Sequence, residues 1–341
     1  MSEIGFTPAV EIYGANAALI NSRLVDWEHV DAAGVESDQL KLTVNIEGLE
    51  GMPSVDGELG LRVGYKETGL VDKGKFVVQR RTPQLFPSML LIVATAAPFK
   101  VKDETGFKAR RSASYGPTTL GALFRQVVGR HGFSPRVAPD LDAIPIDHVD
   151  QSNETDAAFL TRLARRYDAV TKPVDDLFVL ARRGQTKTLS GKPLPPVTLS
   201  VTKDNKPGSR SFIAASVDED SRVRFKGCKT TWWDGGSGTE CVVDVGEEPF
   251  KKVRQRYQNE AEAKAAAEGE LRKSKREVGK LRVDCPGNPA FGAEGLLVLD
   301  DTWPSYMRGT WSIDKVTASG SRQQSYRCTI EASYPEGREA E

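Results

Sequence analysis

A block of sequence occurs twice in this chain, in the same order. Between Glu58 and Ala96 it reads ELGLRVGY, then GKFVVQRRT, then MLLIVATAA; between Glu294 and Ser333 it reads EGLLVLDD, then GTWSIDKVT, then YRCTIEAS. In each copy a glycine opens an alternating strand (Gly60, Gly295). A Gly-x-aromatic step opens the next (Gly74-Lys75-Phe76, Gly309-Thr310-Trp311), and a run of apolar and small residues closes on Ala94 or Ala96 and on Ala332. Alternation at period two is what a half-buried antiparallel strand requires. Glycine at the corners permits the bulges and tight turns that curve a sheet. Two such blocks with other material between them point to a duplicated β-module.

The 341 residues suffice for two or three domains of roughly 100–200 residues each. Hydrophobic residues are 39% and glycines number 31, a globular composition able to fill a core. Lys plus Arg and Asp plus Glu are 47 each, so the net charge is zero. That argues against a surface built as a whole for nucleic acid. None of the four cysteines (Cys228, Cys241, Cys285, Cys328) is spaced as a Cys-x-x-Cys pair, which disfavours a zinc ribbon or redox motif. The N-terminus lacks the basic and apolar regions of a signal peptide, and the longest apolar run, Met89 to Ala97, falls well short of the ~20 residues that span a bilayer. The expectation is a soluble chain made in the cytoplasm with reduced thiols.

Along the chain, AVEIYG and LKLTVNIEGL alternate as strands, with DWEHVDAAGVESDQ between them expected as a polar connection. A charged linker, FKVKDETGFKARRS, follows Pro98. The grammar then turns helical. Thr118 is placed to cap a helix through Arg130, with Leu120, Leu123, Phe124, Val127 and Val128 inward and Gly132 as its stop. A second helix begins after Ser152, Asn153, Thr155 and Asp156, all good caps worth ~1 kcal/mol. Its buried stripe is Phe159, Leu160, Leu163, Ala164 and Tyr167, with Arg162, Arg165 and Arg166 outward. DDLFVLARRG closes this insert as a strand. A strand pair around Gly235-Gly236-Ser237-Gly238 follows, then a helix expected over 250–278 with a thin stripe of Val253, Tyr257, Ala261 and Ala265.

Several residues match a known family. Gln151, Asn153, Glu154 and Asp156, followed by Phe159, Leu160, Arg162, Leu163 and Ala164, resemble the signature of phage late control gene D proteins, the central hubs of contractile tails. Gly64-Tyr65, Gly74 with Phe76, the TLGALFRQVVGRHGF helix and an Ala-rich charged helix before the last strands also match, so the resemblance spans about residues 5–335. It implies a mainly β fold with an α+β insert: two related β-barrel domains of tube type, an α/β domain and a long C-terminal surface helix. The expected division is 1–100, 101–185, 186–336 including the helix, and a tail at 337–341. The implied role is structural, without catalytic residue, cofactor or metal. Such hubs form a homotrimer adapting a sixfold tail tube to a trimeric spike. The implied partners are the chain itself, a spike protein, the tube or tube-initiator protein and baseplate wedge proteins, with nucleic acid only as passing cargo and no membrane insertion. The particle would be a phage tail or a tail-derived bacteriocin, assembled in the bacterial cytoplasm. Relatives of the type VI spike continue into a β-prism; a hub without one takes its spike from a separate chain.

Bottom-up chemistry yields competing readings. His29, His131 and His148 sit in no metal or triad spacing and read as surface or internally satisfied histidines. The acidic runs Asp175-Asp176, Asp218-Glu219-Asp220, Glu247-Glu248 and Asp300-Asp301 raise the alternative of a tail-tip peptidoglycan hydrolase, which needs one carboxylate of raised pKa in an apolar pocket. GGSG at 235–238 lacks the lysine and helix of a phosphate loop. Trp232-Trp233 suits an interface anchor or a strand-edge pair equally. Eleven Lys or Arg against five Glu between 251 and 282 invite a DNA-binding helix, but no helix-turn-helix grammar surrounds them, and a solvated or partner-facing ridge fits better.

Overall fold

The computed structural model describes residues 6–14, 16–33, 37–49, 57–96, 106–107, 109–174, 177–184, 195–219, 225–321 and 325–335. They are mainly β. The chain divides into two compact units rather than consecutive domains: Met1–Val101 with Pro196–Val217 and Leu281–Ala332, and Lys102–Pro195 with Asp218–Lys280 and Ser333–Glu341.

The first unit is organised by one twelve-stranded sheet. Six strands come from the early chain: β1 (Pro8–Gly14), β2 (Leu24–Ala32), β3 (Gln39–Asn45), β4 (Glu58–Tyr65), β5 (Gly69–Gln84) and β6 (Met89–Ala96). Six come from the late chain: β7 (Pro196–Leu199), β8 (Ala214–Glu219), β9 (Gly279–Pro286), β10 (Leu296–Leu299), β11 (Gly309–Ser321) and β12 (Ser325–Ser333). The early strands pair in the order β1-β4-β5-β6-β3-β2, and the late strands in the order β7-β10-β11-β12-β9-β8. Counted from one in each half, both orders are 1-4-5-6-3-2. The repeated sequence blocks are the central meander of each half, β4-β5-β6 and β10-β11-β12. Gly74 and Gly309 both take positive φ, 95° and 115°, which a side chain would resist. Each is followed by three consecutive buried residues, Phe76-Val77-Val78 and Trp311-Ser312-Ile313.

The halves are joined by β2, which pairs antiparallel with β3 on one side and with β11 on the other, from Asp26 opposite Ser321 to Ala32 opposite Lys315. This overturns the expectation of a polar connection at 26–39. Acidic residues dominate the local composition, yet Trp27, His29 and Ala32 are buried between them. Short-range polarity hid a strand whose inward positions are filled. Elsewhere the alternation reads as expected: Leu40, Leu42 and Val44 of β3, and Leu59, Leu61 and Val63 of β4, are all buried.

In the second unit, strand Arg110–Tyr115 pairs antiparallel with Val149–Thr155, so the expected linker already contains sheet. Leu177–Arg182 is the centre of a three-stranded sheet with Ala169–Val174 and Ser134–Val137. Helix α1 (Leu120–Gly129) is capped by Thr119, whose Oγ1 accepts from the Ala122 amide, one residue later than expected. Helix α2 (Asp156–Arg166) carries the expected stripe: Phe159, Leu160, Leu163, Ala164 and, just beyond its end, Tyr167 are buried. Arg162 and Arg165 are exposed, but Arg166 is largely covered and bonded to Glu262.

The helix expected over 250–278 is two elements. Phe250–Tyr257 is a strand pairing parallel with Gly227–Asp234, which also pairs antiparallel with Thr239–Gly246. Only then does α3 (Glu260–Arg276) begin, with Asn259 Oδ1 accepting from the Glu262 amide. Phe250, Val253 and Tyr257 are residues that strands favour, and Asn259 marks the true helix start. The helix packs on Gly227–Asp234 and Thr239–Gly246 through Ala263, Ala266 and Ala267, not through Ala261 and Ala265. It therefore belongs with the second unit rather than with the late β-strands. No described helix is long and apolar enough to cross a membrane.

Two measurements test this packing. Trp311 is fully buried and its Nε1 donates to the Met307 carbonyl; Trp311→Ala is expected to cost about 3–5 kcal/mol in urea unfolding. Cys228, Cys285 and Cys328 are buried, and burial pushes their thiols up, that of Cys228 to about 11, whereas Cys241 is half-buried. A thiol reagent at pH 8 is expected to label Cys241 first and the other three only after denaturant is added.

Candidate functional site: the buried aspartate of the signature

The signature residues occupy a strand that breaks and turns into a helix. Gln151 stands opposite Ala113 and Glu154 opposite Arg111, with a bulge between them. Asn153 absorbs the extra residue at φ 48°, a conformation that Asn tolerates better than most residues. Its amide donates to Ser112 Oγ (3.1 Å), and its carbonyl accepts from Arg110 Nη1 (3.2 Å). Thr155 then caps α2, accepting from the Ala158 amide at 3.1 Å. Asp156 is therefore the first helical residue, where the helix dipole favours a negative charge.

Asp156 is fully buried, and donors converge on it. Gln151 Nε2 donates to Oδ1 at 2.7 Å. His131 Nε2 lies 2.7 Å from Oδ2; an ionised carboxylate only accepts, which places the proton on that nitrogen. Arg111 Nε is 3.3 Å from Oδ1, and Arg130 Nη1 is 3.8 Å from Oδ2. A second ring of contacts holds these donors. Tyr115 donates its hydroxyl hydrogen to Gln151 Oε1 and accepts from Arg130, both at 3.1 Å. Phe159 stacks on Tyr115 with centroids 5.4 Å apart, and the His131 ring meets Phe107 edge-on at 4.5 Å. Arg162 covers Phe159, pairs with Glu154 at 2.6 Å and donates to the Asp150 carbonyl at 2.7 Å. Leu160 and Leu163 lie in the core beneath. The signature thus specifies one strand–bulge–helix joint locked by a buried charge. The side chains of Asp156 and His131 have no exposed surface, so the pair presents no face to a substrate.

The sequence reading of His131 as a surface or internally satisfied histidine holds in its second form, whereas Arg111, Arg130 and Tyr115, which come from other segments, were not singled out. Sequence inspection also missed a second joint, where α3 meets the rest of its unit. Arg166 Nη1 donates to Glu262 Oε1 at 2.5 Å, and Arg276 grips Asp168 through two bonds of 2.6 and 2.8 Å. Gly269 lies against the backbone of Tyr167, where a Cβ would come within 2.9 Å of its carbonyl carbon. A glycine inside an Ala-rich helix was the available signal, since glycine there costs about 1 kcal/mol unless packing demands it.

The remaining matched residues lie in the first unit. A Cβ on Gly64 would meet the Gly69 carbonyl oxygen at 2.3 Å. Tyr65 donates to the Gly287 carbonyl at 2.6 Å and belongs to an aromatic chain with Phe6, Tyr326 and Trp27. Phe76 is buried, with His29 edge-on against it at 5.5 Å. His29 and His131 are internal, while His148 is exposed beside Asp150.

Asp175-Asp176 and Asp220 lie outside the described residues. Glu247 and Glu248 are exposed. Hydrogen bonds from Ser200 and Thr302 hold Asp300 below the ordinary carboxylate range, opposite to what a general acid needs. Within the basic span Lys251 pairs with Glu270, Arg256 with Glu240, Arg272 with Glu268 and Arg276 with Asp168. Trp232 is half-buried and Trp233 exposed, with Arg256 over its ring. Among the described residues, no group of three His, Cys, Asp or Glu is arranged to hold a metal ion.

The comparisons place this architecture among phage tail proteins. The family model for the phage tail baseplate hub (GPD) matches residues 106–324, and the chain belongs to that family. It is 36% identical over 214 residues to the probable baseplate hub protein of Escherichia phage P2, covering 62% of this chain and 52% of that one. It is 34% identical over 181 residues to its counterpart in Escherichia phage 186, covering 53% and 46%. The chain therefore spans about half the length of these relatives. The fold is shared with the 43 kDa tail protein of prophage MuSo2 from Shewanella oneidensis (TM-score 0.63, 15% identity, 96% and 98% coverage). It is also shared with an E. coli type VI secretion component described as structurally similar to T4 tail proteins gp27 and gp5 (TM-score 0.55, 12% identity, 94% and 76% coverage).

Asp156→Ala would leave Gln151 and His131 without their acceptor and Arg111 and Arg130 without a nearby counter-charge. It is expected to cost about 3–5 kcal/mol in chemical denaturation. Asn153→Gly, at a backbone angle glycine accepts freely, is expected to change stability by less than ~1 kcal/mol.

Proposed function

We propose that the chain is the structural hub of a contractile tail, a homotrimer that adapts a sixfold tail tube to a threefold spike. The observation that carries this is the doubled strand order. One chain holds two copies of a six-strand module in the same 1-4-5-6-3-2 order, so three chains present six quasi-equivalent modules. Each module is read as a tube-type β-barrel. The buried joint at Asp156 is read as scaffold, giving the second unit the rigidity needed to pass force when the tail contracts. Partners on this reading are the tube or its initiator, the spike and the baseplate wedge proteins, with nucleic acid only as cargo through the ring. The role is mechanical and needs no reaction, whether the particle is a phage or a tail-derived bacteriocin. Membership of the hub family and the P2 and 186 relatives support this reading.

Native mass of the full chain, alone and co-expressed with the candidate spike, tests it. A trimer, or a complex of three hubs with three spike chains, is the expected outcome. A monomer under both conditions would remove the symmetry argument.

A further inference from the structure

A cleft of about 460 Å³ lies within the second unit, between α2, α3 and the strand Phe250–Tyr257. Arg162, Arg165 and Arg166 of α2 form one wall; at spacings of three and four they share a face of the helix. Val253 and Tyr257 come from the strand, and Ala266 and Glu270 from α3. The carboxylates nearby are already answered: Glu154 by Arg162 at 2.6 Å, Glu262 by Arg166 at 2.5 Å and Glu270 by Lys251 at 2.6 Å. Arg165 is exposed and has no hydrogen bond or ion pair among the described residues. Tyr257 is the opposite case. It is 5% exposed, with the Arg166 guanidinium carbon 6.0 Å from its ring centroid, yet its hydroxyl has no hydrogen-bond partner among the described residues. Burial pushes that hydroxyl up to about 12, so at neutral pH it keeps its hydrogen and can donate it. Basic residues in the last turn of a helix answer its dipole, which accounts for Arg165 and Arg166 but not for a buried, unbonded hydroxyl beside them.

We propose that this cleft binds a small phosphorylated ligand, its phosphoryl group held by Arg162, Arg165, Arg166 and the Tyr257 hydroxyl. Such a site needs no second copy of the chain and goes beyond the hub role. Chemistry selects the class. A phosphoryl group carries about −1.5 to −2 charges at neutral pH and three terminal oxygens, whereas a carboxylate has one charge and two oxygens. Three guanidiniums and a hydroxyl suit the former, since guanidinium forks bond phosphate oxygens in pairs. Arg162 has donors to spare: its bonds to Glu154 and to the Asp150 carbonyl use Nε and Nη2, which leaves Nη1. Glu262 fixes Arg166 in place. Both side chains are thereby pre-positioned, so less ordering entropy is lost when the anion arrives. Arg165 brings the charge that no carboxylate answers. At about 460 Å³ the cleft falls in the range of small-molecule pockets, roughly 300–1,000 Å³, and so holds more than a bare phosphate ion. Val253 and Ala266 give the organic remainder an apolar surface to rest on.

Titration calorimetry of the full chain at constant ionic strength tests the site, with phenyl phosphate as the probe and benzoate as its carboxylate counterpart. A single phenyl phosphate per chain is expected to bind, about tenfold more tightly than benzoate. Arg165→Gln is expected to weaken phenyl phosphate by about tenfold and Tyr257→Phe by about threefold. Arg254→Gln removes the same charge from an exposed position outside the cleft and is expected to leave the affinity within about twofold. Because Arg165 is exposed and unbonded, its loss disturbs no contact of the fold, which thermal melts would check. Arg165→Lys keeps the charge but not the planar fork, and replaces the glutamine variant if that variant does not fold. Four outcomes would overturn the site: no saturable binding, equal affinity for benzoate, binding indifferent to Arg165, or Arg254→Gln as damaging as Arg165→Gln.

Discussion

The first unit depends on one antiparallel ladder, Asp26–Ala32 of β2 against Lys315–Ser321 of β11. Without it the early and late strands would be two separate six-stranded sheets, each with a further open edge. A ladder between segments so distant in sequence incurs a large loop-closure entropy, and what offsets that cost is burial. Trp27 and His29 of β2 are buried, and so are Val316 and Ala318 of β11. Trp27 also meets Tyr326 of β12 at 5.5 Å, so the joint is packed on its side-chain face as well as hydrogen-bonded along its backbone.

The second unit solves a different problem. Its elements are short, and their mutual positions are held by charges taken out of water. Asp156 with Gln151, His131, Arg111 and Arg130 fixes α2 to its strands. Asp168 with Arg276, and Glu262 with Arg166, fix α3. A buried ion pair seldom adds much net stability relative to apolar packing, but its geometry is demanding, and breaking it leaves an unpaired buried charge. Gln151, Glu154, Asp156 and Arg162 of the family signature all have polar partners within the fold.

Two surfaces of unlike character result. Gln151 and Asp156 of the signature are inward and bonded to each other, whereas among the described residues the distal half of β5 and the outer edge of β8 each pair on one side only. Natural sheets seldom leave such edges bare, because they recruit other strands.

What the sequence determined by itself was whatever acts over a few residues. Alternation located β1, β3, β4, β6 and both repeated meanders; capping chemistry placed the start of α2; and the spacing of Phe159, Leu160 and Leu163 marked its buried face. The order of motif residues was enough to indicate the family. Where composition and periodicity disagreed, local reading failed: β2 was masked by its acids, and Phe250–Tyr257 by the helix that follows it. Only the tertiary structure decided which strands are neighbours, that His131 and Arg111 turn toward Asp156, and that α3 packs with the second unit. Those outcomes depend on contacts such as Tyr65 to Gly287, 222 positions apart. Hydrogen-bonding edges carry no sequence code of their own, so strand order is settled by which buried faces fit together after the chain has closed its loops.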